Sequence, residues 1–155
     1  MEIKQSFKTG LGFGLTSGVI TTLGLIVGLS SGTHSKEIVL SGILVIAVAD
    51  AFSDALGIHI SEESDSKNER RQIWESTFST FASKFLVALT FAVPILALPL
   101  SAAMVASVLW GLALIGVFSF YLAVQKKKKP ARVILEHLII SVLVIVAAYY
   151  IGDCL

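Results

Sequence analysis

Charge is scarce in this chain: 15% of its 155 residues are Asp, Glu, Lys or Arg, while 55% are hydrophobic. A soluble domain of this length could not bury so much apolar surface, so the composition excludes an ordinary water-soluble globule. Cysteine is nearly absent. Cys154 stands alone, which excludes an internal disulfide and is read as incidental. No Gly-rich phosphate loop, Cys-His cluster or nucleophile motif occurs, and the serines within apolar runs lack a matched base, so nothing supports an enzyme. Alternating apolar and polar residues are missing too, which argues against membrane strands.

What remains is long apolar runs. A helix needs about 20 mostly apolar residues to cross a bilayer, and five stretches qualify: 9–29, 38–60, 78–98, 102–124 and 132–151. The expected fold is all-α, a polytopic membrane protein forming one transmembrane domain over 1–155, with a short charged loop at 61–76. Ser30-Ser31-Gly32-Thr33, Pro99-Leu100-Ser101 and a lysine run ending at Pro130 supply the other breaks. The first run is longer than a signal-peptide core and has no small-x-small cleavage site, so it is read as a retained span.

Orientation follows from Lys and Arg beside the spans. Lys4, Lys8, Lys67, Arg70, Arg71, Lys126, Lys127, Lys128, Lys129 and Arg132 fall on one side of a five-span topology, and Lys36 on the other. The positive-inside rule then expects a cytoplasmic N-terminus and an outside C-terminus. In this setting Lys126 to Lys129 anchor topology and attract anionic headgroups; they are not a nucleic-acid site. Trp74, Tyr121, Tyr149 and Tyr150 fit aromatic belts, whereas Trp110 reads as a packing residue.

Asp50 and Asp54 lie one turn apart inside the second run, with Gly57 and Ser61 on the same stripe. A carboxylate in hydrocarbon is costly, so a pair in register is a functional-site hypothesis, against which stands structural pairing inside a bundle. Lys84 lies six residues into the third run, and Glu136 and His137 four or five into the fifth, so these polar groups are expected in one layer near Asp54. The alternatives are that Lys84 snorkels and that Glu136 and His137 are interfacial. Asp50, Asp54 and Glu136 against Lys84 give a net charge suited to a divalent cation or two protons. Two carboxylates so close are expected to share a proton when no cation is present, so that cation entry expels protons. His59 is roughly 140° round the helix from Asp54 and reads as interfacial. His34, with Glu37, is a weaker candidate still. Glu62, Glu63 and Asp65 could draw metal cations to the cytoplasmic mouth, but the basic residues among them favour a solvated loop.

The first run carries Gly10, Gly12, Gly14, Gly18, Gly24 and Gly28. The four-residue spacings Gly14 to Gly18 and Gly24 to Gly28 allow close helix approach, either within one protomer or at a homodimer seam.

The stretch Phe13-Gly14-Leu15-Thr16-Ser17-Gly18-Val19-Ile20-Thr21-Thr22-Leu23-Gly24-Leu25 resembles the first helix of the vacuolar iron transporter family. Ala51-Phe52-Ser53-Asp54-Ala55-Leu56-Gly57 is similar to that family's Ala-x-Ser-Met-Ala-x-Gly segment. Val93-Pro94-Ile95-Leu96 and Tyr150-Ile151-Gly152 continue the likeness. The resemblance implies five helices, a homodimer, and transport of ferrous iron or manganese out of the cytoplasm by proton exchange along a dimer interface near helices 1 and 2. It implies no tightly bound cofactor.

The departures are specific. Ser17 stands where the family has its helix 1 aspartate, and Asp54 where it has a methionine. An oxygen-only, harder site is expected, with Asp50 and Asp54 as cation and proton ligands and Ser17 as a weak hydroxyl ligand. Ile58 replaces a family glutamate, and the Glu-rich metal-binding insert is reduced to a segment holding Glu62, Glu63, Asp65, Glu69 and Glu75. Lys84, Glu136 and His137 are candidates for gating or charge balance, and His59, Glu62, Glu63 and Asp65 for metal capture. Two other readings stay open: a non-transporting assembly or regulatory protein with the same fold, its aspartates paired with Lys84, and a proton-coupled exporter of an organic cation. The expected location is the plasma membrane of a prokaryote or a vacuolar-type membrane of a eukaryote.

Overall fold

The computed structural model describes residues 5–66 and 68–154. Lys4 and Lys67, counted above for orientation, lie outside the described residues. The described residues form helices α1 (Gln5–Thr33), α2 (Lys36–Glu63), α3 (Arg70–Thr90), α4 (Ala92–Ala97), α5 (Leu100–Gln125) and α6 (Pro130–Asp153), with no strand among them. α3 and α4 run on as one span, giving five helices long and apolar enough to cross a membrane. Each begins or ends outside the apolar run that announced it, because polar first and last turns add helical residues without adding hydrophobicity.

Local chemistry sets the breaks. Ser35 caps α2 by accepting from the Ile38 amide at 3.3 Å, and Glu69 and Gln72 form a reciprocal capping box at the start of α3. Pro130 opens α6, where a missing amide hydrogen costs nothing. The third span is interrupted at Phe91. Pro94 has no N–H to give the carbonyl of Thr90, and its ring crowds that carbonyl, so the helix breaks one turn ahead of it. His34 and Lys127 turn the chain in the left-handed region, at φ 53° and 51°.

α1 is the hub, packed against α2, α3, α5 and α6. Its contact with α3 is close because two glycines leave room for backbone. A Cβ on Gly10 would lie 2.2 Å from the Ser76 carbonyl oxygen, and one on Gly14 would lie 2.4 Å from that of Thr80. Thr80 ties the pair by donating to the Gly10 carbonyl at 3.2 Å. α5 approaches through a second stripe of mostly small residues: Ala103, Ser107, Gly111, Ser119 and Ala123, with Ile115 among them, are buried at every fourth position. The apolar core of Val19, Leu23, Ile26, Val39, Ile43, Phe91 and Ile95 fills the centre.

The outside is as apolar as the inside. Val45, Phe52, Leu56, Phe78, Leu86, Val93, Val117 and Leu143 are exposed, and the only buried residues of α6 are Ser141 and Gly152. A water-soluble helix would reverse that order, whereas a lipid-facing one requires it. Trp110 is a correction to the sequence reading. It is exposed, not packed inside, and its indole N–H donates to Thr90 Oγ1 at 3.0 Å. An amphipathic ring can face lipid when its one donor is satisfied.

Candidate cation site

Lys84 is the anomaly around which the site is built. It lies fourteen residues into α3, about 21 Å along the helix, and is 1% exposed. The sequence reading began this helix at Phe78 and so put Lys84 about two turns from the charged end. The helix begins at Arg70, which moves Lys84 to the middle of the span. Snorkelling from there is out of reach, so the ammonium must find its partners inside.

It finds three. Its Nζ donates to Ser17 Oγ on α1 at 2.9 Å, donates to Asp54 Oδ2 on α2, and stands 2.6 Å from Asp50 Oδ2 one turn away. The Asp54 and Ser17 contacts are aligned hydrogen bonds; Asp50 Oδ2 makes no hydrogen bond of proper angle, so its contact is one of charge. The aspartates meet one ammonium because Asp50 and Asp54 are i, i+4 on a helix packed along α3, beside its buried Ala47, Ala51 and Ala55. α1 comes close enough for Ser17 because Gly18 has no Cβ: one would sit 3.3 Å from the Lys84 Cα. Two carboxyl groups thus face one amine, with an oxygen of each converged on a single point.

The carboxylates are not sealed. Their side chains keep 25% (Asp50) and 19% (Asp54) of their surface exposed, against 2% for Lys84. On the open side, Ala49, Ser53, Gly57 and Ser61 form an exposed row of small residues, and a Cβ on Gly57 would meet nothing within 4 Å. The sequence reading saw Gly57 and Ser61 but not Ala49 and Ser53. The four-residue spacing was there to be read.

The other candidates do not join this cluster. Glu136 is exposed and pairs with Arg132 at 2.9 Å on α6. His137 Nδ1 is 2.7 Å from Ser119 Oγ. Both lie about 10 Å into α6, which packs on α1 and α5, so the shared layer expected with Lys84 does not form. His59 Nδ1 bonds Thr77 Oγ1 at 2.9 Å, and its ring sits edge-on to Trp74. Thr77 spends its hydroxyl hydrogen on the Ile73 carbonyl, so Nδ1 is the donor in this contact. Glu62 is taken by Asn68 Nδ2 at 2.7 Å, Glu63 and Asp65 are exposed, and Glu37 accepts from Ser35 beside the exposed His34. Among the described residues no three His, Cys, Asp or Glu side chains gather where a metal ion could be held.

The small-residue faces of α1 are also committed within the chain. Gly14 and Gly18 lie against α3, Gly24 against Val144 and Gly28 against Ala148 of α6. Within the chain, then, these four serve contacts between its own helices.

Residues 12–73, which carry Ser17, Asp50 and Asp54, match the model of the VIT family. That match supports assigning the chain to the VIT family. No curated protein matches it. The match points to metal-ion transport across a membrane, in keeping with a multi-pass helical protein. In this chain a tethered ammonium is held against two carboxylates of one span.

Proposed function

We propose that the protein is a divalent metal transporter whose cargo, ferrous iron or manganese, exchanges with Lys84 at Asp50, Asp54 and Ser17. One observation carries the reading: two carboxylates and a hydroxyl from two helices converge at mid-span on a single buried cation, while the carboxylates stay partly open. An all-oxygen set suits a hard divalent ion. A divalent ion outcompetes an ammonium where two negative charges converge, so the lysine acts as an occupant that cargo displaces. Once Lys84 is displaced, the carboxylates carry either the metal or protons, which is the basis for exchange between the two.

The reading extends to a homodimer with its seam on α2. A carboxylate one-quarter exposed at mid-membrane needs water or protein over it. The row Ala49, Ser53, Gly57 and Ser61 beside the aspartates lets a second α2 come close. Facing copies would pool their carboxylates and hydroxyls into a fuller coordination shell than one chain offers. The charged end, bearing Lys8, Arg70, Arg71 and Lys126 to Lys129, is assigned to the cytoplasm by the positive-inside rule, and the direction is export.

A second reading rests on the same ammonium. If Lys84 never leaves, the triad is a structural clamp, and the protein is an assembly or regulatory member of its family. Asp54→Asn in proteoliposomes separates the two: transport predicts loss of both manganese uptake and counter-moving protons. Uptake at the parent rate would end the transport reading at this site.

A further inference from the structure

A second polar concavity lies away from the cation site, where α1, α5 and α6 meet at the charged end of the bundle. This groove has a volume of about 600 Å³ and is lined by polar and apolar groups together. Its cationic part is Lys8, in the first turn of α1, and Lys126, at the cap of α5. Among the described residues no Asp or Glu lines it, and neither lysine is paired with a carboxylate. The nearest acid on α6, Glu136, is held by Arg132. Gln5 adds an amide donor, whereas Thr9 and Thr16 turn their hydroxyl hydrogens back onto their own helix.

The apolar part lies deeper. Phe13, Phe118 and Leu122 form it, with Phe13 about 7.5 Å further along α1 than Lys8. The Phe118 ring reaches the floor because Gly12 has no Cβ, which would lie 3.1 Å from its Cζ. A cationic rim at the membrane surface above an aromatic floor toward the bilayer centre matches a molecule with a phosphate at one end and a hydrocarbon chain at the other. A free phosphate ester would use the rim alone and leave the rings unused. Basic pockets between spans at this level suit acidic headgroups.

We propose that this groove binds one anionic phospholipid, its phosphodiester on Lys8 and Lys126 and an acyl chain against Phe13, Phe118 and Leu122. The site is independent of the cation site and does not rest on transport. Native mass spectrometry of the full chain in detergent, with phosphatidylglycerol, phosphatidylcholine or glycerol 3-phosphate added, tests it. One phosphatidylglycerol per chain should be retained, at least about tenfold more tightly than phosphatidylcholine, with glycerol 3-phosphate failing to compete at equal concentration. Lys8→Gln with Lys126→Gln should weaken retention about tenfold or more. Lys127→Gln with Lys128→Gln removes the same charge from exposed lysines outside the groove and should change it less than about twofold. Equal losses in the two double variants would show diffuse surface attraction and overturn the site. Equal retention of phosphatidylcholine would overturn the headgroup assignment, and tight glycerol 3-phosphate binding would replace the lipid with a soluble phosphate ester.

Discussion

Replacing Lys84 by Met removes the charge while keeping most of the side-chain volume, and the geometry says what should follow. At 2.6 Å and an effective dielectric near 20, the Asp50 carboxylate gains a gross attraction of about 6 kcal/mol from the ammonium, most of it offset by the desolvation of both partners. Deleting one partner of a buried pair costs about 3–5 kcal/mol, because the other charge is left uncompensated. Here the aspartates keep 19–25% of their surface, so the low end, about 3 kcal/mol, is expected. The assay is unfolding of the purified protein by SDS titration from mixed micelles. Lys84→Met should lose about 3 kcal/mol, and Asp54→Asn added to it should recover at least about 1 kcal/mol through coupling of the pair. If the ammonium occupies a cargo position, manganese at about 100 times its dissociation constant should restore about 2.7 kcal/mol to Lys84→Met. The same manganese should do nothing for a variant that also lacks Asp50 and Asp54. A loss below about 1 kcal/mol would refute the buried-triad energetics. A full loss that manganese leaves unchanged would refute the occupant reading and favour the structural clamp.

The remaining predictions use the same geometry. Gly14→Ala should destabilise by about 1–3 kcal/mol, since its Cβ meets the Thr80 backbone, and SDS unfolding reads it directly. Gly57→Ala meets nothing and should stabilise the helix by about 0.5–1 kcal/mol in the same assay. Gly57→Leu should leave folding intact but weaken self-association in bilayers, read by energy transfer between labelled copies; unchanged transfer would remove the α2 seam. Lys36→Met frees the Leu96 and Leu98 carbonyls, which the ammonium now bonds at 3.1 and 3.2 Å. It should speed hydrogen exchange of the Leu98 amide, with an overall cost of about 1 kcal/mol.

Much of the fold was legible in order along the chain. Five apolar runs became five spans, because a continuous apolar stretch of about 20 residues has no other stable form in lipid. Asp50 and Asp54 were legible as a pair because i, i+4 spacing on a helix is a fixed geometry. The depth of Lys84 was not, since the polar first two turns of α3 looked like loop until Glu69 and Gln72 capped them as helix. Glu136 and His137 were grouped with Lys84 by the same miscounted depth. The glycines of α1 showed only that something packs closely there; whether it was α3, α6 or another copy depended on which helices lie beside α1 in space.

By itself, then, the sequence determined the number of spans, the apolar exterior and the two carboxylates on one stripe, all consequences of local periodicity and of a solvent that satisfies no backbone group. Only the tertiary structure decided that one ammonium on α3 sits against both carboxylates and a hydroxyl on α1. That arrangement depends on how closely three helices approach, and the approach is set by a missing Cβ at Gly10, Gly14 and Gly18, where backbone meets backbone.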